Sequence, residues 1–260
     1  MSPAIAPGVA PTLPSHLRTM RVTLSDGCVT TVHVAEHELS ETRVRVVRLA
    51  RPEPLGGWCA RTGVEEALVG GFFTRPNGRP LGELRTHGIV RGSTAFTAPW
   101  NRLRPCLHVD CGNVSIVPRH ALCTTPRGDL LQAGPLLVRD GVPVARDGED
   151  PEGFSAASDQ FDSDITEGRH PRAALALASG SRLLAVVCDG RDVDDAGLML
   201  PELATLLAEL GAEQALNLDG GGSASLVCGG RLRNVPRGAQ GVELAGGRPI
   251  STAVAFSARL

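Results

Sequence analysis

The 260-residue chain contains no tyrosine, and all 26 of its basic residues are arginines. Without a lysine amine the chain cannot form a Schiff base, hold pyridoxal phosphate covalently or complete a P-loop. Without tyrosine, no phenol can serve as acid, base or nucleophile. Any anion site must therefore be built from guanidinium groups, backbone N–H groups or a metal. Aromatic residues make up only 3% of the chain, which argues against base-stacking platforms. With 28 acidic residues against 26 basic ones and a net charge of −2, the chain also lacks the excess of positive charge that non-specific nucleic-acid binding needs. No apolar run approaches the ~18 residues of a membrane span. Neither nucleic acid nor membrane is expected as a partner, and the sequence says nothing of oligomeric state.

The cysteines are seven, an odd number, and none forms a C-x-x-C pair. This pattern predicts free thiols in a reducing compartment and a cytoplasmic location. Residues 1–15 are rich in proline and alanine and lack both the basic and the compact apolar regions of a secretory signal. Residues 1–19 are expected to be a disordered lead-in, and 20–260 a single domain.

What is present is an ordinary globular balance, 42% hydrophobic and 21% charged. Residues 20–24 and 28–34 flank Ser25-Asp26-Gly27, a hairpin turn signal. The run RVRVVRL at 43–49 alternates arginine with apolar residues, as a half-buried strand does. The polar stretch 140–161 reads as a long surface loop. Residues 183–188 form a continuous apolar run that ends at Asp189-Gly190-Arg191. A helix follows, with Pro201 in its first turn, Leu203, Leu206, Leu207 and Leu210 on one face, and Gly211 just past its end. A strand at 214–218 leads into Asp219-Gly220-Gly221-Gly222-Ser223, and a further strand at 224–228 leaves that loop. The expected fold class is α+β: a mixed β-sheet core with few helices, including a strand–helix–strand unit near residues 183–228. If the two strands run parallel, Asp189 and Asp219 lie on one sheet edge and face one crevice.

Three consecutive glycines after a strand are costly in chain entropy. They allow positive φ and close approach, and successive N–H groups can converge on an anion. A tight turn with Asp219 capping its own backbone is the simpler reading. The run ALNLDGGGSASLV at 215–227 resembles the signature of the phosphodiester glycosidase family. In order along the chain, GGFF at 70–73, QAGPLLVRDG at 132–141, RHPRAAL at 169–175, VVCDGR at 186–191 and RNVP at 233–236 are similar to that family's motifs. Val69 stands where the family usually has asparagine, and Ala173 where it usually has threonine, so two polar groups are absent from positions expected near the pocket.

The resemblance implies cleavage of the glycosidic C–O bond of a sugar-1-phosphate diester, with a small sugar phosphate as partner. Such a reaction needs a cationic or N–H cradle for phosphate and a carboxylate for the anomeric carbon or the attacking water. It assigns Asp219 as leading carboxylate, with Asp189 as its partner and His170 as a further acid or base. Arg172 is the first phosphate ligand, because a guanidinium grips phosphate bidentately, and Arg191 is the second. Gly220, Gly221, Gly222 and Ser223 are expected to complete the cradle, and Gly70, Gly71, Phe72 and Asn234 to border it. No particular cofactor and no metal ligands are assigned. A divalent cation is left open by Asp159, Asp162 and Asp164, which read more simply as a solvated loop. Gln160 and Asp162 border the pocket in an alternative reading. Group transfer or rearrangement in a biosynthetic step, or sugar-phosphate binding without catalysis, are the competing functions.

Overall fold

The computed structural model describes residues 16–155 and 165–259. It is 45% strand and 12% helix. Three antiparallel sheets of seven, five and five strands carry the fold. The seven-stranded sheet runs in the order His16–Thr23, Val29–Glu38, Arg182–Cys188, Arg172–Ala178, Ala212–Asn217, Leu136–Arg139, Val142–Pro143. One five-stranded sheet has the order Arg231–Leu232, Leu226–Cys228, Glu66–Val69, Ile250–Ala258, Thr42–Glu53, and the other Asn113–Pro118, Pro105–Asp110, Asp129–Gln132, Leu84–Thr86, Ile89–Val90.

The expected mixed sheet is thus corrected: every neighbouring pair of named strands is antiparallel. The reason lies in the central strand Arg172–Ala178. It pairs antiparallel with both Arg182–Cys188 and Ala212–Asn217, so these two run in the same direction without touching. The helix Leu200–Glu209 lies between them in the chain. The strand Leu226–Cys228 that leaves the glycine loop belongs to a five-stranded sheet instead.

The apolar run 183–188 is continuous because both of its faces are buried. Leu183, Ala185 and Val187 join Val46, Leu68 and Val254 in the layer between sheets. Leu184, Val186 and Cys188 face Leu203, Ala204 and Leu207 of the helix. Alternate side chains of a strand point to opposite faces, so a run apolar at every position is what two-sided burial demands. The helix begins with the Glu202 carboxylate accepting from the Met199 N–H at 2.8 Å and ends at Gly211, whose φ of +88° suits the residue after a helix. Arg169 donates to Glu202 and to Asp26 of the first hairpin turn, which moors the segment leading into Arg172.

Two further boundaries differ from expectation. The first strand starts at His16, because His16 to Thr19 pair with Glu36 to His33 on the neighbouring strand. The stretch after 140 is a loop only in part: Phe154 is 1% exposed and packs in a small core with Phe72 and Phe96. Arg104, itself fully buried, lies between the rings of Phe96 and Phe154 at 4.1 and 4.0 Å. Asp159, Gln160, Asp162 and Asp164 lie outside the described residues.

Candidate active site

The strand Ala212–Asn217 runs out into the loop at 218–223, and backbone hydrogen bonds stitch that loop to two neighbours. Leu218 N–H donates to Ala173 O at 2.9 Å, Asp219 N–H to Gly70 O at 3.0 Å and Gly221 N–H to Pro171 O at 2.7 Å. The glycines serve this fit. A Cβ on Gly220 would stand 2.9 Å from Pro171 O, and one on Gly221, where φ is +58°, 3.0 Å from Arg191 Nη1. Two of the amides expected in the anion cradle are already engaged, the Gly221 N–H by Pro171 O and the Ser223 N–H by Gly220 O at 3.1 Å.

The loop forms one wall of a cleft of about 350 Å³. Asp219, Gly220 and Gly221 line it together with Phe72, His170 and Arg172. Arg75, Arg191 and Arg248 complete a wall with four arginines and, among the described residues, a single carboxylate. Burial pushes the Asp219 carboxyl up to about 6, against the opposing pull of the Ser223 hydroxyl, the Arg248 charge, the Gly220 N–H and Arg75. Asp219 therefore titrates in the range that general acid–base chemistry uses. Arg191 is held below its ordinary value by burial and by the neighbouring Arg248 charge. It adopts a φ of +63°, donates from Nη1 to Arg237 O at 3.2 Å and from Nη2 to His170 Nδ1 at 3.3 Å. A donor at Nδ1 places the imidazole proton on Nε2.

A family model for phosphodiester glycosidases matches residues 62–257. The chain belongs to the phosphodiester glycosidase family. No curated protein matches the sequence. Among solved structures, the catalytic domain of zebrafish N-acetylglucosamine-1-phosphodiester α-N-acetylglucosaminidase, auto-inhibited by its pro-peptide, is similar with a TM-score of 0.70 at 20% identity, over 97% of this chain and 85% of that one. A Synechocystis protein is similar with a TM-score of 0.64 at 18% identity, over 94% of this chain and 62% of that one. A Burkholderia pseudomallei protein described as exported is similar with a TM-score of 0.60 at 17% identity, over 89% of this chain and 74% of that one. At such identities the likeness is one of fold.

Within this member of the family the motif residues divide. His170, Arg172, Arg191, Asp219, Gly220, Gly221 and Phe72 line the cleft. Arg172 does so with its guanidinium committed: Nε donates to Leu198 O at 3.1 Å, Nη1 to Ile165 O at 2.8 Å and Nη2 to Gly168 O at 3.1 Å. It braces the wall through backbone carbonyls, where phosphate gripping was expected. Asp189, Gly70, Gly71, Gly222, Ser223 and Asn234 are absent from the cleft lining. One Asp189 oxygen accepts from the Val235 N–H at 2.6 Å and the other bonds His33 Nε2 at 3.1 Å, while His33 Nδ1 bonds the Thr19 hydroxyl. Asn234 accepts from Leu226 N–H and donates to Ala224 O, which brackets the strand after the loop. Gly70 packs so closely on Thr252 that a Cβ would stand 2.4 Å from its hydroxyl, and Gly71 and Gly222 pack on Leu131 and Leu244. Ser223 is fully buried.

The two departures from the family motifs also lie elsewhere than expected. Val69 and Ala173 belong to the apolar layer between sheets, and neither lines the cleft. Arg75 and Arg248 line the cleft without any local sequence signal, and Asn217, not among the expected site residues, lines it from within the ALNLDGGGSASLV run. Asn217 is 1% exposed and donates to Gly134 O and Leu218 O. A polar residue ending an otherwise apolar buried strand is the hint that marks it. Arg248 lies in a Gly/Pro stretch, and only its backbone bond from N–H to Gly222 O, 2.9 Å, ties it to the glycine loop. Among the described residues no group of three His, Cys, Asp or Glu side chains is placed to hold a metal ion, and no helix is long and apolar enough to cross a membrane.

Proposed function

We propose that this member of the family hydrolyses the glycosidic C–O bond of a sugar-1-phosphate diester. One observation carries the reading: a cleft wall of arginines surrounds one half-buried carboxylate whose pKa is raised to about 6. The arginines suit a phosphate diester, and the carboxylate suits water activation. The zebrafish relative, named as an N-acetylglucosamine-1-phosphodiester α-N-acetylglucosaminidase, agrees in class.

In this scheme Arg248, Arg191 and Arg75 hold the phosphate, since Arg172 is spent on carbonyls. Asp219, ionised above pH 6, takes a proton from water as the water oxygen bonds to the anomeric carbon. The anomeric C–O bond breaks, and its electron pair leaves with the phosphate monoester. That leaving group is already stable, so it needs no strong acid. The His170 Nε2–H is placed to hydrogen-bond it. A second carboxylate is not required, and Asp189 is reassigned to holding Val235 and His33. The substrate partner is a small sugar phosphate, with no cofactor. The seven free thiols support a reducing compartment such as the cytoplasm.

The decisive experiment is release of reducing sugar from a sugar-1-phosphate diester by wild type and Asp219→Asn. Hydrolysis by wild type that falls by about 10²–10⁴ in the variant supports the assignment. A fully active variant removes Asp219 from the chemistry. Tight binding by wild type without release of sugar replaces the hydrolase with a transferase or a binding protein.

A further inference from the structure

The arginine-rich strand Thr42–Glu53 takes no part in the cleft just described. Its alternating pattern sends Val44 and Val46 into the core and leaves Arg43 and Arg45 on the other face. There a second cleft, of about 640 Å³, is lined by Arg43, Arg45, Arg259, His87 and Asp129, and shares no lining residue with the first. It lies where the two five-stranded sheets meet.

The charges of this cleft do not cancel. Among the described residues its one carboxylate, Asp129, is turned to the backbone, accepting from Val46 N–H at 3.0 Å and His87 N–H at 2.6 Å, which ties the two sheets to each other. Among the described residues no guanidinium pairs with it. Arg45 donates from Nη2 to His87, and its Nε is buried with no hydrogen-bond partner among the described residues. Arg259 donates one N–H to Gly112 O at 2.9 Å. Arg43 makes no side-chain hydrogen bond or ion pair among the described residues. Each guanidinium carries five N–H groups, so most donors in the cleft are unused and their charge is uncompensated. A concave surface with several unpaired guanidiniums is suited to a dianion with three or more acceptor oxygens.

We infer that this cleft is a second anion site, separate from the candidate active site, which binds a phosphate group, free or as a monoester. The inference does not depend on the reaction assigned to the first cleft.

Calorimetric titration with inorganic phosphate tests it on wild type, Arg43→Gln/Arg45→Gln and Arg248→Ala. Two phosphates bind wild type, the double substitution weakens one of them at least about tenfold, and Arg248→Ala weakens the other. Loss of one phosphate in the double variant upholds the site even where Arg248→Ala changes nothing, in which case the first cleft alone is misread. Stoichiometry and affinity unchanged by the double substitution overturn the site, as does a wild type that binds one phosphate lost in Arg248→Ala. Arg259→Gln serves as the milder variant if circular dichroism shows the double variant unfolded, with the same loss expected. Methyl phosphate in the same series separates the sources: tighter binding than inorganic phosphate assigns the ester, weaker binding the free ion.

Discussion

Asp189 and Asp219 invite comparison because topology treats them alike. Each follows a strand of the seven-stranded sheet, the two strands run in the same direction, and a single strand separates them. Yet one carboxylate is buried and bonded to a histidine and a backbone N–H, and the other stands half-buried in a cleft that arginines also line. Sheet geometry brings a residue type to an edge. What it does there is decided by which distant segments cover that edge. The 235 region closes over Asp189, whereas the 70, 171 and 248 regions leave a gap beside Asp219.

The contrast can be broken most severely at the carboxylates. Asp219→Asn should cut kcat/KM by about 10²–10⁴, while Asp189→Ala should cost about 2–3 kcal/mol of unfolding free energy in urea titration with far less effect on rate. Equal rate losses would return Asp189 to the chemistry. Next come the arginines. Arg248→Ala should weaken phosphate binding about 10–100-fold and, by removing a charge that lowers Asp219, move the acidic limb of the pH–rate profile upward from about 6. Arg172→Lys should act chiefly on stability, by about 1–3 kcal/mol, because a lysine cannot reach three carbonyls in a fork.

A subtler test uses protons. The Asp219 carboxyl is raised from 3.8 to about 6, so the folded state binds its proton more tightly than the unfolded chain does. Ionisation then opposes folding above pH 6, by about 2–3 kcal/mol from the size of the shift. Asp219→Asn should therefore be more stable than wild type at pH 7, with the advantage shrinking as pH falls from about 6 toward 4. An advantage independent of pH would contradict the raised pKa.

Local pattern made several elements legible. The 183–188 run, the helix with its leucine face and terminal glycine, and the hairpin at Gly27 all follow from spacing within a few residues. The glycine loop and His170, Arg172, Arg191 and Asp219 were legible from motifs, and the structure brings these to one cleft. The roles were harder to read. That Arg172 spends its guanidinium on carbonyls of 165, 168 and 198 is a long-range fact, as is the capture of Asp189 by Val235. Arg75 and Arg248 belong to no periodic pattern and are recruited by folding alone. The antiparallel pairing throughout was likewise hidden, because the central strand Arg172–Ala178 precedes both of its partners in the chain and intrudes between them.

The stitching of the Asp219 loop has a mechanical corollary. Its backbone is bonded on one side to Ala173 of the seven-stranded sheet and on the other to Gly70, which follows the strand Glu66–Val69 of a five-stranded sheet. The carboxylate thus works as a gauge of the spacing between two layers. A methylene added far from the cleft, as in Val187→Ile within the apolar filling between those layers, would spread them and shift the carboxylate against its arginines. Turnover should then follow core volume as well as the chemistry of the cleft, and selection on the filling would be selection on catalysis.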